Sequence, residues 1–517
     1  MAIKKKNKKI ISPIYAIFIL TVAIILLSYI FSLIGLEGQR ANIISIRQGD
    51  LQYGLEMSLV TVRNALSMEG LYFLINNATS NLNIFSPLLM LIISLIGIGI
   101  GESSGLFKLW FSKLKKLKLN ILTFITLLIT IILTSFGQYV FLLTIPFFAL
   151  VYKYSKKSPV LGVLVAFIGT LAGYGTGVML DYENILLGEF TEISANLEII
   201  TNYSFNNLST IFIAIPSVLI LSILGTIIVD KMLVNKVKKI ECKEECELAL
   251  EEENKEFKNI LITHIVLFGL VLGFLYSLIP GLPFSGALLD ETQPRYIMML
   301  MGENSMFSLG YIYIFSLIMI ATGFTYGMLT GKYKDNHDFN VGLSSSFKDL
   351  GYLFVVLFFA IQMISLFEWT NIGVVFTTNL IERLYEFQLS GLPMIFAFII
   401  VVFLATLVIT DPVFKWELMS PLVVPLFMRS NVTPDFTQFI FRSIEGVSRG
   451  FTPLFIFLII MIGFIQKHSS DSEKTTIFGT IKLLSPALFA MLGVWILIII
   501  VWYLVGIPIG IGTYPTI

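Results

Sequence analysis

The chain has 517 residues and a formal net charge of +1; 56% of its residues are hydrophobic and only 13% are charged. That charged share is about half of what soluble globular domains carry, which excludes a water-soluble enzyme and makes lipid the surrounding solvent. Runs such as IYAIFILTVAIILLSYIF (14–31) and LFAMLGVWILIIIVWYLV (488–505) reach the roughly 20 apolar residues that a bilayer-spanning helix requires.

In chain order, MAIKKKNKK leads into a 26-residue apolar stretch, too long for the core of a cleaved signal peptide and followed by no small-residue cleavage site. We read it as a retained first span with a cytoplasmic N-terminus. Full spans are expected near 11–36, 85–104, 158–187, 206–230, 258–279, 306–330, 350–367, 434–465 and 479–509, nine in all. The segment 53–78 is apolar at helical spacing with few charges, and is expected to lie as a helix along the outer interface. His264, on an apolar helix, is expected to pack in the core.

Two apolar stretches, 119–152 and 391–428, are too long for one span and too short for two. Each breaks in the middle, the first at Ser135-Phe136-Gly137-Gln138 and the second at Asp411-Pro412-Val413-Phe414-Lys415-Trp416. Both are expected to be re-entrant hairpins. With that parity the lysine-rich segments that hold Lys4, Lys113, Lys153, Lys231, Lys332 and Lys467 all fall on the cytoplasmic side, as the positive-inside rule requires. The hydrophilic segment 231–257 carries both cysteines, Cys242 and Cys246; it is expected to be a charged, reducing cytoplasmic loop and not a metal site, because no histidine is near.

The hairpins also read as one unit used twice. A shift of 275 residues places Pro146 on Pro421, Pro159 on Pro434, and the glycine-rich break 173–177 on 448–452. The repeated units are 119–187 and 391–465, each a hairpin followed by an interrupted helix, entering from opposite sides. Inverted repeats with interrupted helices are how secondary transporters bind substrate and coupling ion near the midplane. The expected fold is therefore an all-α polytopic membrane protein of nine transmembrane helices plus two re-entrant hairpins in an inverted repeat, within a single transporter domain spanning 1–517.

At this point the residues resemble a known family. GIGIGESSG (97–105), GFTYGMLTG (323–331), FFAIQMISLFEWTNIG (358–373), KWELMSPLVVPLF (415–427), TPDFTQFIFRSIEG (433–446) and Thr452-Pro453 are similar to the motifs of the AbgT family of p-aminobenzoyl-glutamate transporters and antimetabolite exporters. The resemblance implies a homodimer in the bacterial inner membrane that moves small aromatic carboxylates or sulfonamide-like drugs by proton coupling. Carried over residue by residue, it gives functional roles to Glu183, Trp416, Pro434, Arg442, Glu445 and Pro453. The chain departs from the family where Glu183 and Glu445 stand in place of Asp, where Asp411 enters a small-polar hairpin tip, and where Arg449 and Gly177 replace Asn.

Arg442, Glu445 and Arg449 lie at i, i+3 and i+7 of one helix and share a face. Charges at membrane depth are costly unless paired or wetted, and so mark a pathway by default. Glu183 and Glu445 are the expected proton carriers, and Trp416 is expected to stack on substrate. Asp411 and Arg449 are expected to pair directly; alternatively Arg449 holds a substrate carboxylate through its planar donor fork while Asp411 is solvated. Coupling to sodium is the alternative to protons, with a membrane-embedded enzyme and a pore as readings from other classes. No P-loop, His/Cys metal spacing, nucleophile elbow or nucleic-acid motif is present in the sequence, so neither a cofactor nor a nucleic-acid partner is expected. The expected partners are a small organic anion, a coupling ion and the bilayer.

Overall fold

The computed structural model describes residues 11–47, 52–84, 86–176, 182–197, 203–238, 240, 257–302, 304–470 and 475–517. The N-terminal lysines, Gly177, Cys242 and Cys246 lie outside the described residues. Among the described residues, nine helices are long and apolar enough to cross a membrane. Seven of them coincide with expected spans; the other two, Leu119–Phe136 and Gly391–Val408, are the entry arms of the hairpins. The expected interrupted spans 158–187 and 434–465 hold Pro159–Gly173 and Tyr182–Ala195 in the first, and Pro434–Phe451 and Ile456–His468, bent by 47°, in the second.

Each hairpin is built from two helices joined at its tip, both packed against the helix that follows. The first joins Leu119–Leu133 to Phe141–Tyr154, and the second joins Gly391–Val408 to Pro412–Arg429. Each is followed by the first half of a broken helix, Pro159–Gly173 or Pro434–Ser448. Both of these halves start with proline at the first helical turn, where the missing N–H costs nothing and the fixed φ favours the helix. The last residues of the three helices in the first copy are 133, 154 and 173; moved by 275 they land on 408, 429 and 448, the last residues of the three in the second. One unit is therefore used twice, in register to the residue at every helix end.

The two tips turn differently. The first reverses at Gly137, with φ 85° and ψ −176°, a conformation essentially reserved for glycine. The second reverses at 409–411, where the Asp411 carboxylate accepts the Phe414 backbone N–H at 2.8 Å and caps the return arm.

Glycine also sets how closely the broken helices cross. A Cβ on Gly446 would lie 2.5 Å from Tyr174 Cβ and 2.7 Å from the Leu171 carbonyl oxygen; one on Gly175 would lie 2.5 Å from Ser443 Cα. Small residues let backbones approach in membranes, where dispersion contacts rather than apolar burial hold helices together.

Two local expectations are corrected. Residues 53–78 are not one interfacial helix: strand β2 (Gln52–Thr61) pairs antiparallel with β1 (Glu37–Arg47), and a separate short helix, Met68–Asn76, follows. The alternation in LEMSL (55–59) satisfies a strand, and the helical reading takes no account of the partner strand upstream. The helix Ile211–Val229 continues through a π-turn, Asp230–Val234, to Val237, so the charged segment 231–257 opens in helix. His264 is exposed on the helix Phe257–Tyr276, its Nδ1 2.8 Å from the Ile260 carbonyl oxygen.

Candidate substrate and ion site

Four polar side chains of the second broken helix, Gln438, Arg442, Glu445 and Arg449, recur at i, i+4, i+7 and i+11 and so form one stripe. All four are at most 3% exposed. Burial of that much charge requires partners, and these come from both repeats.

The deeper half of the stripe is a charge triad. Glu445 Oε1 accepts from Arg449 Nε at 2.5 Å and from Lys415 Nζ, on the return arm of the second hairpin, at 3.0 Å. Lys415 also donates to Thr406 Oγ1 on the entry arm at 2.9 Å. One carboxylate oxygen thus receives two cations, while Glu445 Oε2 and Arg449 Nη2 are buried without a hydrogen-bond partner. The Arg449 guanidinium lies 4.1 Å from the centroid of the Tyr174 ring, in the break of the first broken helix. Arg442 faces the same ring at 5.0 Å, so Tyr174 is flanked by two cations, an arrangement its π-face favours. Its hydroxyl is buried without a partner.

The outer half is a hydrogen-bond chain. Asn184 Oδ1, just after the break in the first broken helix, accepts from Arg442 Nη1 and from Gln438 Nε2, each at 2.9 Å. Gln438 Oε1 accepts from Thr191 Oγ1 at 2.5 Å, and Thr191 Oγ1 accepts from Trp416 Nε1 at 2.9 Å. The Trp416 ring packs on Phe441 at a centroid distance of 4.6 Å. Glu183, beside Asn184, is 7% exposed, and its Oε1 accepts the backbone N–H of Gln138 at the first hairpin tip at 3.1 Å.

The structure therefore brings Glu183, Trp416, Arg442, Glu445 and Arg449 together where the two repeats cross. Pro434 starts the helix that carries the stripe. Pro453 sits in its break, beside Thr452, whose Oγ1 donates to the Leu407 carbonyl at 2.8 Å. Asp411 is placed otherwise: it is exposed and caps its own helix, while Arg449 bonds to Glu445, so the expected Asp411–Arg449 pair does not form. Asp411 lines a cavity of about 350 Å³ at the second tip together with Glu368, Asn371, Thr410, Phe414 and Leu454.

Sequence reasoning missed Lys415, Tyr174, Asn184, Thr191, Thr406 and Gln438. Gln438 was findable, since it extends the Arg442–Glu445–Arg449 stripe by one turn. The others reach the site only through tertiary contact. Among the described residues no group of three or more His, Cys, Asp or Glu side chains converges as a metal centre would. Among the described residues the site gathers three buried cations, Lys415, Arg442 and Arg449, beside the buried carboxylates Glu183 and Glu445. Arg449 Nη2 and the Tyr174 hydroxyl, buried without a hydrogen-bond partner, are the donors an anion would meet there.

Comparison with known proteins gives the family. The model of the AbgT transporter family matches residues 1–517. The p-aminobenzoyl-glutamate transport protein of Escherichia coli is 26% identical over 471 residues, which covers 88% of this chain and 87% of that protein. The YdaH transporter of Alcanivorax borkumensis is 18% identical, with a TM-score of 0.48 over 96% of this chain and 100% of that one. MtrF of Neisseria gonorrhoeae, described as illuminating a class of antimetabolite efflux pumps, is 22% identical, with a TM-score of 0.47 over 98% of each chain. The chain belongs to the AbgT family of multi-pass membrane transporters.

Proposed function

We propose that this chain is a secondary active transporter of small organic anions of the p-aminobenzoyl-glutamate or antimetabolite type, driven by protons. The observation that carries the reading is the pair of buried cations at the crossing of the two repeats, where Lys415 and Arg449 share one oxygen of Glu445. Arg449 Nη2 and the Tyr174 hydroxyl are donors without partners, and an unsatisfied buried donor is costly unless a ligand meets it. A substrate carboxylate supplies that ligand between the two cations; the neighbouring rings of Trp416 and Phe441 suit an aromatic body. Glu183 and Glu445 are the carboxylates beside the two breaks and take the role of proton carriers.

The relative from Escherichia coli, a p-aminobenzoyl-glutamate transport protein, supports that substrate class. In this reading the protein lies in the inner membrane as a homodimer with its N-terminus and the charged segment 231–257 in the cytoplasm. Its working unit is the pair of repeats 119–187 and 391–465.

Reconstitution into proteoliposomes tests the proposal, with uptake measured under an imposed pH gradient, with and without sodium, for p-aminobenzoyl-glutamate, sulfonamides and dicarboxylates. The expected result is gradient-driven uptake of at least one of these compounds that is insensitive to sodium and is lost in Arg449→Gln. Uptake driven by sodium alone transfers the coupling to that ion. Wild-type uptake by Arg449→Gln overturns the anion site.

A further inference from the structure

We infer that the tip of the first hairpin is a lid over the Arg449 anion site and that the Glu183 carboxylate is its latch, an inference that rests on the anion site proposed above. In the structure the tip is closed. Gly137 and Gln138 lie against Tyr174, Gly446 and Arg449, and the gap between them is too small for a water molecule. Ser135, beside the turn, is fully buried. An anion can meet Arg449 Nη2 from this side only if the tip moves.

What holds the tip is local and identifiable. The chain reverses at Gly137 in a conformation reserved for glycine. This reversal turns the next backbone N–H, that of Gln138, toward the helix Tyr182–Ala195, where Glu183 Oε1 accepts it at 3.1 Å. A Cβ at position 137 would lie 3.5 Å from the same oxygen, so tip and carboxylate are in contact over two residues. The entry arm carries no charge near this point; its side chains before the turn, Thr130 and Thr134, bond to their own helix. The carboxylate is therefore the charged anchor of an otherwise uncharged arm, and a hydrogen bond to an ionised acceptor is about twice as strong as a neutral one.

This gives one group two linked tasks. Among the described residues, Arg449, Tyr174 and Tyr311 face Glu183 across the site. With its charge in place, Glu183 holds the lid shut and partly offsets the cations beneath it. When a proton neutralises it, the bond to Gln138 weakens and the field at Arg449 becomes more positive. The lid then opens in the state in which the site attracts an anion most strongly. Proton binding and anion access are coupled without any contact between the proton and the substrate.

The test reads the lid itself. Cys242 and Cys246 are replaced by serine, Ser135→Cys is introduced, and maleimide labelling is followed in proteoliposomes against pH, with the reagent added to both faces. In the Glu183 background labelling is expected to be slow near neutral pH and to quicken as pH falls. Glu183→Ala and Glu183→Gln are expected to label about tenfold faster or more at neutral pH, the loss of one charge-assisted bond, with no remaining pH dependence beyond that of the reagent. Glu183→Asp, which keeps the charge on a shorter arm, is expected to fall between them and controls for folding. Equal labelling rates in Glu183, Glu183→Gln and Glu183→Ala overturn the latch. Arg449→Gln separates this from the substrate reading: if it transports normally while labelling still depends on Glu183, the anion site is wrong and the latch stands.

Discussion

Removing the charge of Glu445 should be far more damaging than removing Lys415, and the structure sets the size of the difference. Glu445 is wholly buried and its Oε1 holds Arg449 at 2.5 Å and Lys415 at 3.0 Å. Glu445→Gln keeps the shape but leaves both cations buried without a counter-charge, and orphaning one member of a buried ion pair costs about 3–5 kcal/mol. Lys415→Met leaves a balanced Glu445–Arg449 pair and fills the vacated space with an apolar chain. It forfeits the bonds to Glu445 and Thr406 and should cost about 1–2 kcal/mol. The double variant should be more stable than Glu445→Gln alone, because one orphaned cation remains instead of two. The assay is the midpoint of heat-induced loss of monodisperse protein in detergent, with all four proteins handled identically. If Lys415→Met proves as destabilising as Glu445→Gln, or the double variant is less stable than both singles, the shared counter-ion account is wrong.

Gly446→Ala should lower the same midpoint through a cost of about 1–3 kcal/mol, because its Cβ would stand 2.5 Å from Tyr174 Cβ; an unchanged midpoint would show that the crossing can relax. Asp411→Asn should change stability by less than about 0.5 kcal/mol and Asp411→Ala by about 1 kcal/mol, since Asp411 acts as an exposed helix cap; a loss well above that in both would restore the discarded pair with Arg449. Arg449→Lys keeps the charge but loses the fork, whose Nη2 has no partner, so substrate affinity should fall while protein yield holds. Equal affinity in competition binding would remove Arg449 from the substrate.

Much of the fold is legible in the sequence because bilayer thickness sets the length of each span, and Pro159 and Pro434 mark the same helix start in each repeat. The two strands were not legible. A ribbon of two strands, β1 and β2, is held by partners far away in the chain: Asn379 Nδ2 donates to the Glu37 carbonyl at 2.9 Å, and Arg40 Nη2 lies 2.7 Å from Glu417 Oε1. No local period announces such contacts, and isolated two-stranded ribbons have little stability of their own.

The site was half legible for a related reason. Arg442, Glu445 and Arg449 declare themselves because helical spacing is a local property and a charge inside an apolar run is conspicuous. Their partners do not. The charges along the chain offer Arg449 two acids, and position in the repeat favours Asp411; yet Asp411 opens a helix, where its carboxylate satisfies a free backbone N–H at 2.8 Å and remains exposed. Glu445 lies one turn before Arg449 on the same helix, needs no loop to be ordered to reach it, and is already buried. In a membrane the buried acid wins, because leaving Glu445 unpaired costs more than leaving a solvated Asp411 without a cation. Lys415 then joins the same oxygen from the second hairpin. The stripe is thus completed only when the hairpin has folded against it, and the candidate site and the hairpin packing are set by the same three charges.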